Sequence, residues 1–268
     1  MKLFTSDLDR TLIFSERSIG KLEEERICIE QLEDKKISYV TKRICDQLEE
    51  INNRMYFVPV TTRSLAQYER IMLFQNTIIP PVAIVANGGV ILRNGQVDLE
   101  WQKRMEELMA NLPMPISEVQ QCFVKQLTKP YLLKNQMMDN LFFVYGVNLN
   151  TVNLVELQEL KNQLAPHGWT CYLNGRKLYI MPSELTKGNA VAYIKAQQTF
   201  DYHIAAGDSF MDMSMLALAD WGLAPAHGEI TDMPSIEVIN QKGAAFAEQC
   251  LAEILQADEL PIAKIIKL

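Results

Sequence analysis

Two aspartates set two residues apart, Asp7 and Asp9, follow the apolar run Leu3-Phe4-Thr5-Ser6. Such a run reads as a buried strand whose carboxyl end delivers both side chains to one edge. In an open parallel α/β sheet, that edge is where ligands gather. The plainer alternative is a turn in which one Asp caps the following helix and the other is solvated. Three further features fall where the same sheet would bring them alongside. Thr61 ends a second strand, Lys187 opens a helix, and Gly207-Asp208-Ser209-Phe210-Met211-Asp212 follows the strand His203-Ile204-Ala205-Ala206. Lys187 sits against local preference, because a cation at a helix N-terminus opposes the macrodipole by several tenths of a kcal/mol, up to about 1. A neighbouring anion would relieve it. Asp208 and Asp212 share a face if the helix begins between them. Carboxylates that converge repel one another without a cation, and an all-oxygen ligand set suits a hard ion such as magnesium.

The elements that must position these residues alternate in the rhythm of a doubly wound α/β protein. Residues 41–53 read as a helix, 55–60 as a strand, 64–75 as a helix and 82–85 as a strand. Between the first strand and first long helix, Arg26–Glu30 and Ile37–Val40 read as a hairpin across Glu33-Asp34-Lys35-Lys36. It is either a flap over the carboxylate pair or an edge decoration. From 88 to 182 the texture becomes that of an independent α+β unit: helical stretches near 100–111, 116–127 and 152–165, a strand at 141–145, and two strands flanking the turn Asn174-Gly175. The rhythm then resumes with a helix from Lys187, the His203 strand, a helix carrying Asp212 to Ala219, a strand at 221–224 and a helix near 244–256. The expected organisation is a discontinuous core, 1–87 with 183–268, interrupted by an inserted domain, 88–182.

With 268 residues, 48% of them hydrophobic, the chain can bury a large core. Its net charge of -7 disfavours nucleic acid or an anionic membrane as partner. Five cysteines without a C-x-x-C pair, no signal segment and no apolar stretch of membrane-spanning length lead to an expected cytoplasmic, soluble protein. The histidines, His167, His203 and His227, fit no metal-ligand spacing.

Asp7-Leu8-Asp9-Arg10-Thr11, Thr61, Lys187 and Gly207-Asp208 through Asp212 resemble, in order, the four motifs of the haloacid dehalogenase superfamily. Asn87-Gly88, Lys187-Gly188 and Asp212-Met213-Ser214-Met215-Leu216 are most similar to its Cof-like and sucrose-phosphatase-like branch. The resemblance implies a Rossmann-like parallel core with an α/β cap inserted between the second and third motifs. It also implies a magnesium-dependent phosphatase in which Asp7 is the nucleophile and forms an aspartyl-phosphate, while Asp9 is general acid and then base. Thr61 would bind the transferring phosphoryl group and Lys187 would offset its charge. The metal would be held by the Asp7 side chain, the Asp9 carbonyl and Asp208, with Asp212 binding it directly or through water. Asp9 favours phosphoryl transfer over dehalogenation, which has no leaving alkoxide to protonate. A sugar phosphomutase and a non-catalytic phosphate-binding regulator are the alternatives. Arg10 stands where the family has glycine, and Thr62 where it commonly has the glycine of Thr-Gly-Arg; Arg63 is retained. The expected substrate is a small phosphorylated metabolite such as a sugar phosphate, met by Thr62, Arg63, Asn87, Gly88 and, from among the cap cations Arg93, Arg104, Lys125, Lys129, Lys134, Arg176 and Lys177, by Arg176 and Lys177. Oligomeric state is not legible.

Overall fold

The first strand, β1 (Lys2–Ser6), is buried from Leu3 onward, as an apolar run between two covered faces must be. After it come the antiparallel hairpin β2 (Arg26–Leu32) and β3 (Lys35–Thr41), the helix α1 (Lys42–Arg54) and the strand β4 (Tyr56–Pro59). Thr41 caps α1 by accepting from the Ile44 N–H at 3.2 Å, and Ile44, Leu48 and Ile51 form its buried stripe. The helix predicted over 64–75 is interrupted. A capping box at Ser64 opens α2 (Leu65–Tyr68), the chain turns, Ile71 forms an isolated bridge with Glu30, and Leu73–Thr77 rewinds as a single π-helical turn. Then follow β5 (Val82–Val85), β6 (Val90–Arg93) and β7 (Gln96–Val97), an antiparallel meander.

Asp98 caps the next helix, α3 (Leu99–Ala110), which precedes α4 (Ile116–Val119) and a π-helical turn at Gln120–Val124. The end of the helix expected over 116–127 lies outside the described residues. Strands β8 (Leu132–Met138) and β9 (Phe142–Val147), helix α5 (Leu154–Leu164) and strands β10 (Trp169–Asn174) and β11 (Lys177–Pro182) complete this region. Its antiparallel sheet has the order β10-β11-β9-β8 over a core that includes Trp169, Phe143, Leu160 and Leu164. The strand β8 has no apolar alternation, since its middle residues are exposed, and it was not expected.

The chain then enters α6 (Lys187–Gln197), β12 (Tyr202–Ala206), a 3-10 turn at Phe210–Asp212, α7 (Met213–Leu216), β13 (Trp221–Pro225), β14 (Ile236–Ile239) and α8 (Ala244–Asp258). A fully parallel sheet has the order β14-β13-β12-β1-β4, and a bridge between Val60 and Ile84 ties β5 to the end of β4. In its register Ser6 lies opposite both Ala206 and Pro59. The residues after each strand, Asp7, Gly207-Asp208 and Val60-Thr61, therefore leave the sheet side by side.

The computed structural model describes residues 1–21, 25–125, 129–230 and 235–259. These divide into two units, Met1–Val97 with the chain from Lys187 onward, and Asp98–Thr186. The second unit thus begins ten residues later than position 88 and ends four residues after 182. The physical reason at the first boundary is that β6 pairs along its whole length with β5, so Arg93, expected among the cap cations, belongs to the first unit. Among the described residues no helix is long and apolar enough to cross a membrane.

Candidate active site

Asp7 leaves β1 with its N–H donated to the Ala206 carbonyl at 2.9 Å, so the backbone that presents it still belongs to the sheet. Its Oδ1 accepts from Lys187 Nζ at 2.5 Å and its Oδ2 from the Thr11 hydroxyl at 3.2 Å. Lys187, the first residue of α6, is fully buried and also donates to Asp212 Oδ1 at 2.5 Å. Two carboxylates thereby offset the unfavourable position of a cation at a helix start. The other oxygen of Asp212 accepts from the Asp208 and Ser209 N–H groups at 3.1 and 2.9 Å and from the Ser209 hydroxyl at 3.0 Å. Asp212 therefore locks the 3-10 turn and aims Lys187. Two glycines make this packing possible. A Cβ on Gly207 would meet Asp212 Cβ at 2.5 Å, and one on Gly188 would meet the Ser214 carbonyl oxygen at 2.4 Å.

Asp7, Asp208 and Asp212 each offer an oxygen within 4.8 Å of the others, and all three are buried. Burial first, then Asp212 and Asp9, push the Asp7 carboxyl up to about 7 against the pull of Lys187. Burial, Asp7 and Asp212 push Asp208 up to about 8, with Arg10 and Lys187 opposing. Burial works against the Lys187 ammonium, but Asp212 and Asp7 outweigh it and raise its pKa. Asp208 Oδ2 is buried without a hydrogen-bond partner; its charge contact is Arg10 Nη1 at 3.3 Å, on a side chain that is 39% exposed. A cluster of hard oxygens, short of positive charge and with one oxygen unsatisfied, fits a small divalent cation. Arg10 holds φ at 68°, in the left-handed region that favours glycine and costs a bulky residue about 1 kcal/mol or more. His227 fixes it there, donating from Nε2 to the Arg10 carbonyl at 3.0 Å.

Asp9 takes a different direction. Its carboxylate, half exposed, is gripped by Arg63 through Nε at 2.7 Å and Nη2 at 2.9 Å, the bidentate geometry that a planar guanidinium favours. Asp9 was expected at the metal through its carbonyl, and its side chain is not part of the acidic cluster. Arg63 Nη1 donates to Glu30 at 2.6 Å. Glu30 also accepts from Arg70 at 3.0 Å and from the Ser38 hydroxyl at 2.7 Å. Glu30, Ser38 and Arg70 were not singled out from the sequence; the available signal was a lone carboxylate beside Ile29 in a strand, where alternation would bury only one of them.

Thr61 is fully buried, with its N–H on the Ile84 carbonyl at 2.8 Å and its Oγ1 accepting from the Arg63 N–H at 3.1 Å. Asn87 and Gly88 hold left-handed conformations, φ 57° and 100°, in the turn after β5, and Asn87 donates its N–H to the Thr61 carbonyl at 2.9 Å. Thr62 follows Thr61 in the same loop, half-buried. The structure thus joins Asp7, Thr61, Arg63, Asn87, Lys187, Asp208 and Asp212 within the first unit. Arg176 and Lys177 are exposed residues of the second unit at the turn between β10 and β11.

A family model described as sucrose-6F-phosphate phosphohydrolase matches residues 1–224. No curated protein sequence matches. Among solved structures, the sucrose-phosphatase of Synechocystis sp. PCC6803, in complex with sucrose and phosphate, aligns over 94% of this chain and 96% of its own, with 15% identity and a TM-score of 0.68. A haloacid dehalogenase-like hydrolase from B. subtilis aligns over 95% and 100%, with 15% identity and a TM-score of 0.58. The trehalose-6-phosphate phosphatase of Aspergillus fumigatus aligns over 95% and 92%, with 14% identity and a TM-score of 0.53. At these identities the three share a fold with this chain.

Proposed function

This chain belongs to the sucrose-6F-phosphate phosphohydrolase family, a phosphatase family of the haloacid dehalogenase superfamily, and we propose that it is a magnesium-dependent phosphomonoesterase that works through an aspartyl-phosphate on Asp7. The family description supports a small sugar phosphate as substrate. The observation that carries the reading is Lys187 buried between Asp7 and Asp212 beside the unsatisfied oxygen of Asp208.

In this reading the Asp7 carboxylate attacks phosphorus, the bond from phosphorus to the sugar oxygen breaks, and that oxygen takes a proton from Asp9. Water then attacks the acyl phosphate and gives its proton to Asp9, which releases inorganic phosphate and restores Asp7. Lys187 offsets charge that would otherwise repel an anionic phosphoryl group from a carboxylate. Thr61, whose oxygen already accepts from Arg63 N–H, keeps its own hydroxyl proton for a phosphoryl oxygen. Asp7, Asp208 and Asp212, with the Asp9 carbonyl, would hold magnesium, which supplies charge neutralisation for the transferring phosphoryl group when bound. Thr62 and Arg63 border the phosphate, and Arg176 and Lys177 are the substrate-facing cations of the inserted unit.

Phosphate release from sugar phosphates, nucleotides and an aryl phosphate, with magnesium and with chelator, tests this reading. The expected result is magnesium-dependent release that Asp7→Asn abolishes. Release that survives Asp7→Asn, or a folded wild type that hydrolyses nothing in the panel, contradicts it.

A further inference from the structure

The hairpin of β2 and β3 is built around one misfit. Successive residues of a strand face opposite sides, yet Ile29 and Glu30 are both buried, at 3% and 0% exposure. The pairing of β2 with β3 slips on both sides of Glu30, between Cys28 and Glu30 and again before Gln31, as a β-bulge does when it re-aims a side chain. The carboxylate so turned inward meets Arg63, Arg70 and Ser38. Ser38 closes the circle, for its hydroxyl donates to Glu30 at 2.7 Å and accepts from Arg63 Nη2 at 3.0 Å. All three guanidinium nitrogens of Arg63 are thereby committed: Nε and Nη2 to Asp9, Nη1 to Glu30, and Nη2 also to Ser38. The hairpin itself is held on two sides. Tyr39 exchanges backbone hydrogen bonds with Phe14 at 2.7 and 3.0 Å, in the segment that follows Asp9, and Glu30 bridges Ile71.

A guanidinium bound to Asp9 alone would be free to swing with it, because that carboxylate is 49% exposed. A second carboxylate, buried and fixed by the bulge, sets the plane of the guanidinium, and Arg70 supplies the charge that keeps Glu30 from drawing Arg63 away from Asp9. We propose that Glu30 is a positioning residue for catalysis, which orients Asp9 through Arg63 for proton transfer to the leaving oxygen, so that the hairpin is a fixed bracket for the acid/base. The inference rests on the role given to Asp9 above.

The test compares first-turnover rates of Glu30→Gln and wild type on a sugar phosphate and on p-nitrophenyl phosphate, with magnesium. An alkoxide needs a proton to leave and nitrophenolate does not, so loss of Asp9 positioning has an effect specific to the leaving group. Expected are a fall of about tenfold or more on the sugar phosphate with KM within about twofold, and a p-nitrophenyl phosphate first turnover within about threefold of wild type. Ser38→Ala, which removes two hydrogen bonds and no charge, is expected to show the same pattern at about threefold, and it decides the matter if Glu30→Gln does not fold. Unchanged sugar-phosphate turnover, or equal losses on both substrates, overturns the proposal while a wild type active through Asp7 upholds the phosphatase reading. A wild type inactive on both substrates removes that reading and the proposal with it.

Discussion

Asp7 and Asp9 are two residues apart, yet they face two regions with different charge balance. Around Asp7, three buried carboxylates share one buried ammonium and the half-exposed Arg10. Around Asp9, two carboxylates share two guanidinium groups, and each pairing is a direct contact. The first region is short of positive charge and the second is balanced by its own side chains. A buried charge is tolerated when it is paired and hydrogen-bonded. Chemistry that needs an added cation is thus expected on the Asp7 side, and chemistry that needs a carboxyl group held in one orientation on the Asp9 side.

Removing the shared ammonium tests the deficient side most severely. Lys187→Met is expected to lower kcat by about 10³-fold, the loss of a preorganised donor at the reacting group, as measured by phosphate release from protein shown to be folded. On the balanced side, Arg63→Lys retains the charge but loses the fork, and a fall of about 10²-fold in kcat with unchanged magnesium binding is expected from kinetics and calorimetry. The raised carboxyls provide a pH test of the contrast. Groups whose folded pKa lies above the unfolded value contribute stability at low pH that is lost as pH rises, here from about 4 through about 7 to 8 for Asp7 and Asp208. A cation that requires both ionised is expected to bind about tenfold more weakly on going from pH 8 to 7 and up to about hundredfold more weakly for each further pH unit, and to raise the melting temperature more at pH 8 than at pH 6. The smallest expected effect is at Arg10. Arg10→Gly removes a competing charge of about 1 kcal/mol from Asp208 at a φ that glycine prefers, and magnesium is expected to bind about fivefold more tightly in a titration followed by calorimetry.

Much of the deficient side was legible because its residues sit at the ends of buried apolar runs, and a parallel sheet aligns such ends whatever lies between them. Asp7, Asp208 and Thr61 follow from strand placement, and Lys187 from a charge that a helix start disfavours. The balanced side was not legible. Its centre, Glu30, faces inward only because a bulge breaks the alternation by which strands are read, and its partners Arg63, Ser38 and Arg70 come from three other segments. The same limit applies to the elements. Strand β14 is short, with two of its four residues exposed, and the helix over 64–75 looked continuous because its break at Ile71 answers to Glu30 in another segment. The inserted unit starts after β7, where hydrogen bonding to β5 and β6 ends, and not at the change of texture near Asn87-Gly88.

Magnesium titration of wild type, Asp208→Asn and Asp9→Asn by calorimetry addresses the division of labour most directly. One ion is expected to bind wild type and Asp9→Asn alike, with binding to Asp208→Asn weakened at least tenfold, since Asp208, and not Asp9, joins Asp7 and Asp212 in contributing its carboxylate to the cluster. Equal binding to wild type and Asp208→Asn, or loss of binding in Asp9→Asn, would contradict it.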